Sequence, residues 1–155
     1  MEREPSVGRT RVSIPVDLIA AYTATDFRFA CSDTQIVVKI GQRLDAPAAF
    51  QRNGPIAVVT AYNPFSRETA DRVNEARQRE LIAAVEAEGL EWLPAVGVDP
   101  EDVWPPEPSL AVFGATDAHL DEWMERFEQN AVVVVSSSSP AELRLHPRAQ
   151  LESGT

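Results

Sequence analysis

The feature that most limits the fold is a buried-strand signal followed by a long amphipathic helix. Residues 56–62 (IAVVTAY) are almost wholly apolar, as a strand covered on both faces must be. After a polar turn, the spacing predicts a helix over 68–88. It places Ala70, Val73, Ala76, Leu81, Ala84, Val85 and Ala87 within about half a turn of circumference. Ser66 can cap its start, Glu68 suits the positive end of its dipole, and Gly89 ends it. A strand feeding such a helix must bury one helical face against its own sheet.

The remaining patterns fix the order. Residues 91–96, 109–114 and 131–135 read as strands, 142–145 as a further edge strand, and 117–127 as a second helix with Leu120, Trp123, Met124 and Phe127 on one face. From 56 to 135 the order is strand, helix, strand, strand, helix, strand. This is the βαββαβ, ferredoxin-like pattern of an α+β protein, with helices on one face of a mixed or antiparallel sheet. Another α+β sandwich can use the same elements. Before this core, 25–30 and 35–40 read as an added N-terminal β-hairpin across Cys31-Ser32-Asp33-Thr34. Residues 16–22 read as a short opening helix and 46–51 as a helical turn. Residues 1–14 and 147–155 read as loose tails, leaving 15–146 as a single domain; the 155 residues suit one domain.

Composition narrows the function classes. The formal charge is −10, and residues 66–128 hold 16 acids against 5 bases. A nucleic acid or an anionic membrane is a poor partner for such a field, which the solvated faces of the helices explain most simply. One cysteine and two histidines leave no disulfide and no Cys- or His-rich metal site. There is no apolar run of 18 residues and no signal-like start, so a cytoplasmic location is expected. No glycine-rich phosphate loop occurs, and nothing asks for a cofactor. An exposed sheet edge would allow a homodimer.

Polar and aromatic residues that secondary structure does not demand fall in four segments. They are Thr60-Ala61-Tyr62-Asn63-Pro64-Phe65-Ser66, then Asn74 with Arg77, then Trp104-Pro105-Pro106-Glu107-Pro108-Ser109, and Gln129-Asn130. On the helical wheel Asn74 lies between Leu81 and Val85, inside the apolar arc, where an amide needs partners. The expected topology brings these segments to the edge at the C-terminal end of the first core strand.

The same residues carry a resemblance. TAYNPFS, Asn74-x-x-Arg77, Gly89, Gly97, Trp104, Glu107-x-Ser109-Leu110 and Phe127-x-Gln129-Asn130-Ala131 together resemble the DUF3293 family of bacterial proteins of unknown function. The resemblance runs from about Tyr22 to about Leu145. The chain departs from the family pattern at Tyr62, where the family usually has Trp, and at Glu128, where it usually has Gly. The resemblance implies a fold unit and a motif set, and no reaction.

Each motif has a plain reading beside a functional one. Asn63-Pro64-Phe65-Ser66 is a turn and cap, or an anion site at a helix N-terminus. Asn74 ties backbone, or contacts a ligand. Arg77 pairs with Glu107, or clamps a carboxylate or phosphate. Trp104 anchors its loop, or covers a ligand. Gln129 and Asn130 satisfy the strand mouth, or read a polar ligand. Glu107 is the candidate acid or base, with Asp99 and Asp102 the local candidates for a second carboxylate. Cys31 is a thiol without a base, and Ser66 with His119 or His146 makes no convincing nucleophile pair. The leading expectation is a site for a small polar or anionic ligand, formed by Asn63, Ser66, Asn74, Arg77, Trp104, Gln129 and Asn130. Whether it catalyses anything is left open. The alternative is an acidic protein–protein interaction module without catalysis.

Overall fold

The apolar run and the helix after it organise two hydrophobic layers, one on each side of a seven-stranded sheet. The computed structural model describes residues 10–50, 52 and 54–152. Its elements are β1 (Val12–Pro15), α1 (Val16–Ala24), β2 (Asp26–Cys31), β3 (Thr34–Val38), β4 (Ile56–Val59), α2 (Asp71–Ala87), β5 (Glu91–Val98), β6 (Glu107–Phe113), α3 (Asp117–Arg126), β7 (Ala131–Ser136), β8 (Ser139–Leu145) and β9 (Ala149–Glu152). A single helical turn covers Pro47–Phe50, and Gln51 of the turn expected over 46–51 lies outside the described residues.

The large sheet has the order β3-β2-β5-β6-β4-β7-β8, antiparallel at every neighbouring pair. β4 sits centrally, and all four of its residues are buried. Successive side chains of a strand point to opposite faces. Ala57 and Val59 therefore join Leu81 and Val85 of α2 and Leu120, Trp123 and Met124 of α3 in one core cluster. Ile56 and Val58 join Phe27, Phe29, Ile36 and Phe113 in the other, which Tyr22 of α1 also packs against. The β2–β3 hairpin extends the sheet beside β5. The sheet also curls: Ile40, just past β3, bridges to Ala141 of β8, and the backbone N–H of Gly41 donates to the Ala141 carbonyl at 2.8 Å. The two edges of the sheet thus meet.

Three expectations are corrected. The helix foreseen over 68–88 begins at Asp71, with Ala70 at the cap position and no side-chain cap bond. The cause lies upstream, where Asn63, Phe65 and Ser66 have positive φ and turn the chain away before the helix can start. Its buried residues are Asn74, Gln78, Leu81 and Val85, while Val73 is 42% exposed, so the inward stripe is narrower than the apolar arc and begins with two amides. Lastly, Val12–Pro15 and Ala149–Glu152 are not loose tails. They pair as a parallel two-stranded sheet, Val12 opposite Ala149 and Ile14 opposite Leu151, with Ile14 fully buried. Residues 1–9 and 153–155 lie outside the described residues.

One close backbone approach underlies the central strand. Gly54, at φ +81°, lies so near Gly114 that an added Cβ would meet the Gly114 Cα at 2.8 Å. Backbone cannot yield there as a side-chain tip would. Gly54→Ala is expected to cost about 2 kcal/mol or more, from left-handed strain plus the clash. Urea unfolding measures it.

Candidate functional site

The site grows from the turn that links β4 to α2. Asn63 and Phe65 both have φ of 49° and Ser66 has 63°. Asn tolerates the left-handed region; a bulky Phe does so rarely, at a cost of about 1–3 kcal/mol. Such a turn persists only when its surroundings hold it. Asn74, buried on α2, does most of the holding. Its Oδ1 accepts the Asn63 N–H at 2.8 Å, and its Nδ2 donates to Asn63 Oδ1 at 2.9 Å and to the Thr69 carbonyl at 3.1 Å. Asn63 Oδ1 accepts the Thr69 N–H as well, at 3.1 Å. One turn along α2, Gln78 accepts the Ala61 N–H at 2.8 Å and donates to the Pro108 carbonyl at 3.2 Å. From the far side, Gln129 donates to the carbonyls of Tyr62 and Phe127, each at 3.1 Å.

These bonds bring the β4–α2 turn, the start of β6 and the start of β7 to one edge, as the topology led one to expect. They also correct the anion reading of the turn. Ser66 does not cap α2, and the turn's own N–H groups are already taken by protein acceptors. Phe65 donates to the Glu128 carbonyl, Ser66 to the Asn63 carbonyl at 2.7 Å, and Arg67 to the Pro64 carbonyl at 3.0 Å. Arg77 is engaged too. Its guanidinium donates to the Ala61 carbonyl at 3.0 Å and to the Phe127 carbonyl. Its nearby carboxylate is Glu128, at 3.8 Å, rather than Glu107. Asn74, Arg77 and Gln129 therefore brace the site from behind.

Glu128 occupies a left-handed position. It follows α3 at φ 56°, and the Gln129 N–H reaches back to the Met124 carbonyl at 3.0 Å. This is the helix-ending geometry that glycine fills without a Cβ penalty.

The other expected residues divide. Glu107 opens β6, and its Oε2 accepts a hydrogen bond from Asn63 Nδ2 at 3.1 Å. Burial pushes its carboxyl above the ordinary value, with the Asn63 bond acting against the rise. Among the described residues no base pairs with it. Tyr22 of α1 lies beside this carboxyl. Burial first, and then the Glu107 charge, push the phenol well above its ordinary range, while the Ser66 hydroxyl acts in the opposite sense. Ser66 Oγ accepts from Asn130 Nδ2 at 3.0 Å. Asn63 with Glu107 and Ser66 with Asn130 thus form two hydrogen-bonded polar pairs, with Tyr22 nearby. Trp104 is outside both: with Val103 it stands exposed on the loop after β5, at 44% and 71%. Asp99 is buried and shapes that loop by accepting the N–H groups of Glu101 and Val103 at 3.0 and 2.9 Å. It has no free role as a second acid. His119 is likewise occupied, exchanging capping bonds with Thr116 at the start of α3 and stacking on Trp123.

A cleft of about 710 Å³ opens beside the Ser66–Asn130 pair. Arg11, Val12, Ser13, Asp17 and Leu18 line one wall, and Phe65, Ser66 and Asn130 the other. Pockets of this size suit a small molecule. Tyr22, Gln78 and the cleft's N-terminal wall were missed from the sequence. Gln78 had a signal, since 74, 78, 81 and 85 share one helical stripe. Tyr22 and Val12 had none, because neither is near the motifs along the chain.

Comparison with known proteins gives one match. Residues 59–132 match the family model described as "Protein of unknown function (DUF3293)". The match runs from the end of β4 into β7 and spans the site residues expected from the sequence. No curated protein and no solved structure matches the chain.

Two outcomes follow from the geometry. Asn74→Ala leaves the Asn63 N–H and the Thr69 carbonyl without partners, and is expected to cost about 2–3 kcal/mol in denaturant unfolding. Glu107→Gln keeps an oxygen for Asn63 but cannot ionise. Because the folded protein holds the Glu107 pKa above the unfolded value of 4.5, wild-type stability is lost as pH rises through that region. The variant is expected to be the more stable at neutral pH and to match wild type below about pH 4.

Proposed function

We propose that the chain binds a small polar molecule in the cleft between the β1–α1 segment and the Phe65–Ser66 turn. The observation that carries this is the placement of the Ser66 hydroxyl and the Asn130 amide. A strained turn and the first residues of β7 hold both at the cleft wall. Strain kept by buried hydrogen bonds is a mark of functional positions. Val12, Leu18 and Phe65 would take the ligand's apolar part, and Arg11 would supply the positive charge first assigned to Arg77. If a reaction runs here, Glu107 is the group to move a proton, since burial favours its neutral form. We also infer that β5-β6-β4-β7, crossed by α2 and α3 on one face, is a ferredoxin-like core carrying the site at one edge.

The interaction-module reading keeps one observation of its own. Val103 and Trp104 are exposed together on the β5–β6 loop.

A thermal-shift screen against nucleotides, sugar phosphates, carboxylates and amino acids separates the two. A ligand at about 100 times its Kd adds about 2.7 kcal/mol, which is several degrees for a domain this size. The expected result is a hit that Ser66→Ala combined with Asn130→Ala abolishes while the variant stays folded. A folded protein with no hit, or a hit indifferent to both changes, overturns the ligand reading.

A further inference from the structure

His146 lies behind the cleft, touches the Phe65–Asn130 wall directly and meets the N-terminal wall through Arg148. Its ring is fully buried. It packs on Phe65 with ring centroids 5.9 Å apart, and its backbone N–H donates to the Asn130 carbonyl at 2.9 Å. Nδ1 accepts the Arg148 N–H at 3.0 Å. Arg148 is in turn the junction to the N-terminal wall. Its carbonyl accepts the Val12 N–H at 2.9 Å, and its guanidinium holds the Thr10 carbonyl and both oxygens of Glu125.

We propose that His146 is the positioning residue of the cleft and makes it a pH-gated site. The neutral ring holds the β1–β9 wall in place, and the protonated ring releases it. The reasoning is a donor count. A neutral imidazole whose Nδ1 accepts a bond carries its proton on Nε2. A protonated imidazole carries one on both nitrogens, so Nδ1–H would face the Arg148 N–H and two donors would meet. The bond that fixes Arg148 is then lost, and Val12 hangs from Arg148.

The surroundings agree. Nε2 is buried without a hydrogen-bond partner, and Glu125 Oε1 lies 3.5 Å away with Arg148 already on it. Burial holds the His146 pKa below 6.5, assisted by Arg148 and opposed by Glu125 and Asp121 of α3. Arg144 of β8 engages Asp121 through two bonds of 3.0 Å. Phe65 and Asn130, from the other two elements packed here, bring no charge. The unfolded chain therefore takes up this proton at higher pH than the folded one. The stabilising contribution is complete above pH 6.5 and falls as pH drops below it.

The gating of a ligand rests on the cleft being a binding site, but the switch is testable without one. In a pH titration followed by NMR, the His146 ring is expected to titrate below 6.5. The Arg148 and Val12 amides are expected to lose hydrogen-exchange protection at the same midpoint. His146→Asn offers Oδ1 in place of Nδ1 and does not titrate, so its amides should stay protected throughout. Amides indifferent to the ring's titration, or an unchanged pH response in His146→Asn, overturn the proposal. If that variant does not fold, the wild-type titration decides alone. Coupled amides with an empty ligand screen keep the switch and reject the ligand. A screening hit that binds less tightly at about pH 5 than at about pH 7.5 supports both.

Discussion

The reciprocal pairing of Asn63 and Asn74 is the interaction on which the rest depends. Three left-handed residues in a four-residue turn cost about 1–3 kcal/mol each if nothing compensates them. Asn74 offsets this from a position with no competition from water, bonding both the backbone and the side chain of Asn63. Gln78, Arg77 and Gln129 extend the same service to the flanking carbonyls and amides of Ala61, Tyr62 and Phe127. Once the turn is fixed, Phe65, Ser66 and the Asn63 side chain have no freedom left. Their directions create one wall of the cleft and the bond to Glu107.

This arrangement separates residues that shape the site from residues that face it. Arg77 and Gln129 are spent on main-chain groups, although their types suit ligand contact. Ser66 and Asn130 use one another and still open to the cleft. Glu107 stands between the two sets. It is tied to the turn by Asn63, lacks a partnering base among the described residues, and shares its surroundings with Tyr22. A half-buried carboxyl without a counter-charge is costly to keep ionised, which is why its neutral form is favoured.

Much of the core was legible in the sequence, because period-2 and period-3.6 patterns report directly on burial. β7, α3 and the β2–β3 hairpin appear close to where those patterns put them, while β4 starts at Ile56 as expected but ends at Val59, before Thr60-Ala61-Tyr62. The convergence of Asn63, Glu107, Gln129 and Asn130 followed from strand order alone. The start of α2 was not legible, since Asn-Pro-Phe-Ser has the composition of a cap. Only the three-dimensional bonds of Asn74 show that it is a left-handed turn instead. The β1–β9 pair was hidden for another reason. Four residues reading Val-Ser-Ile-Pro carry too little pattern, and their partners lie at the opposite end of the chain. The cleft and the role of His146 were lost with it, because both depend on that pairing.

The central claim is that the Phe65–Ser66 turn and Asn130 present a ligand-binding wall. It is tested most directly by mapping amide chemical shifts of the ¹⁵N-labelled protein during titration with a mixture of carboxylate, amide and sugar-phosphate fragments. The account predicts perturbations gathered at Val12, Leu18, Phe65, Ser66 and Asn130. Perturbations gathered instead around Val103 and Trp104, or none at the cleft at saturating fragment, would contradict it.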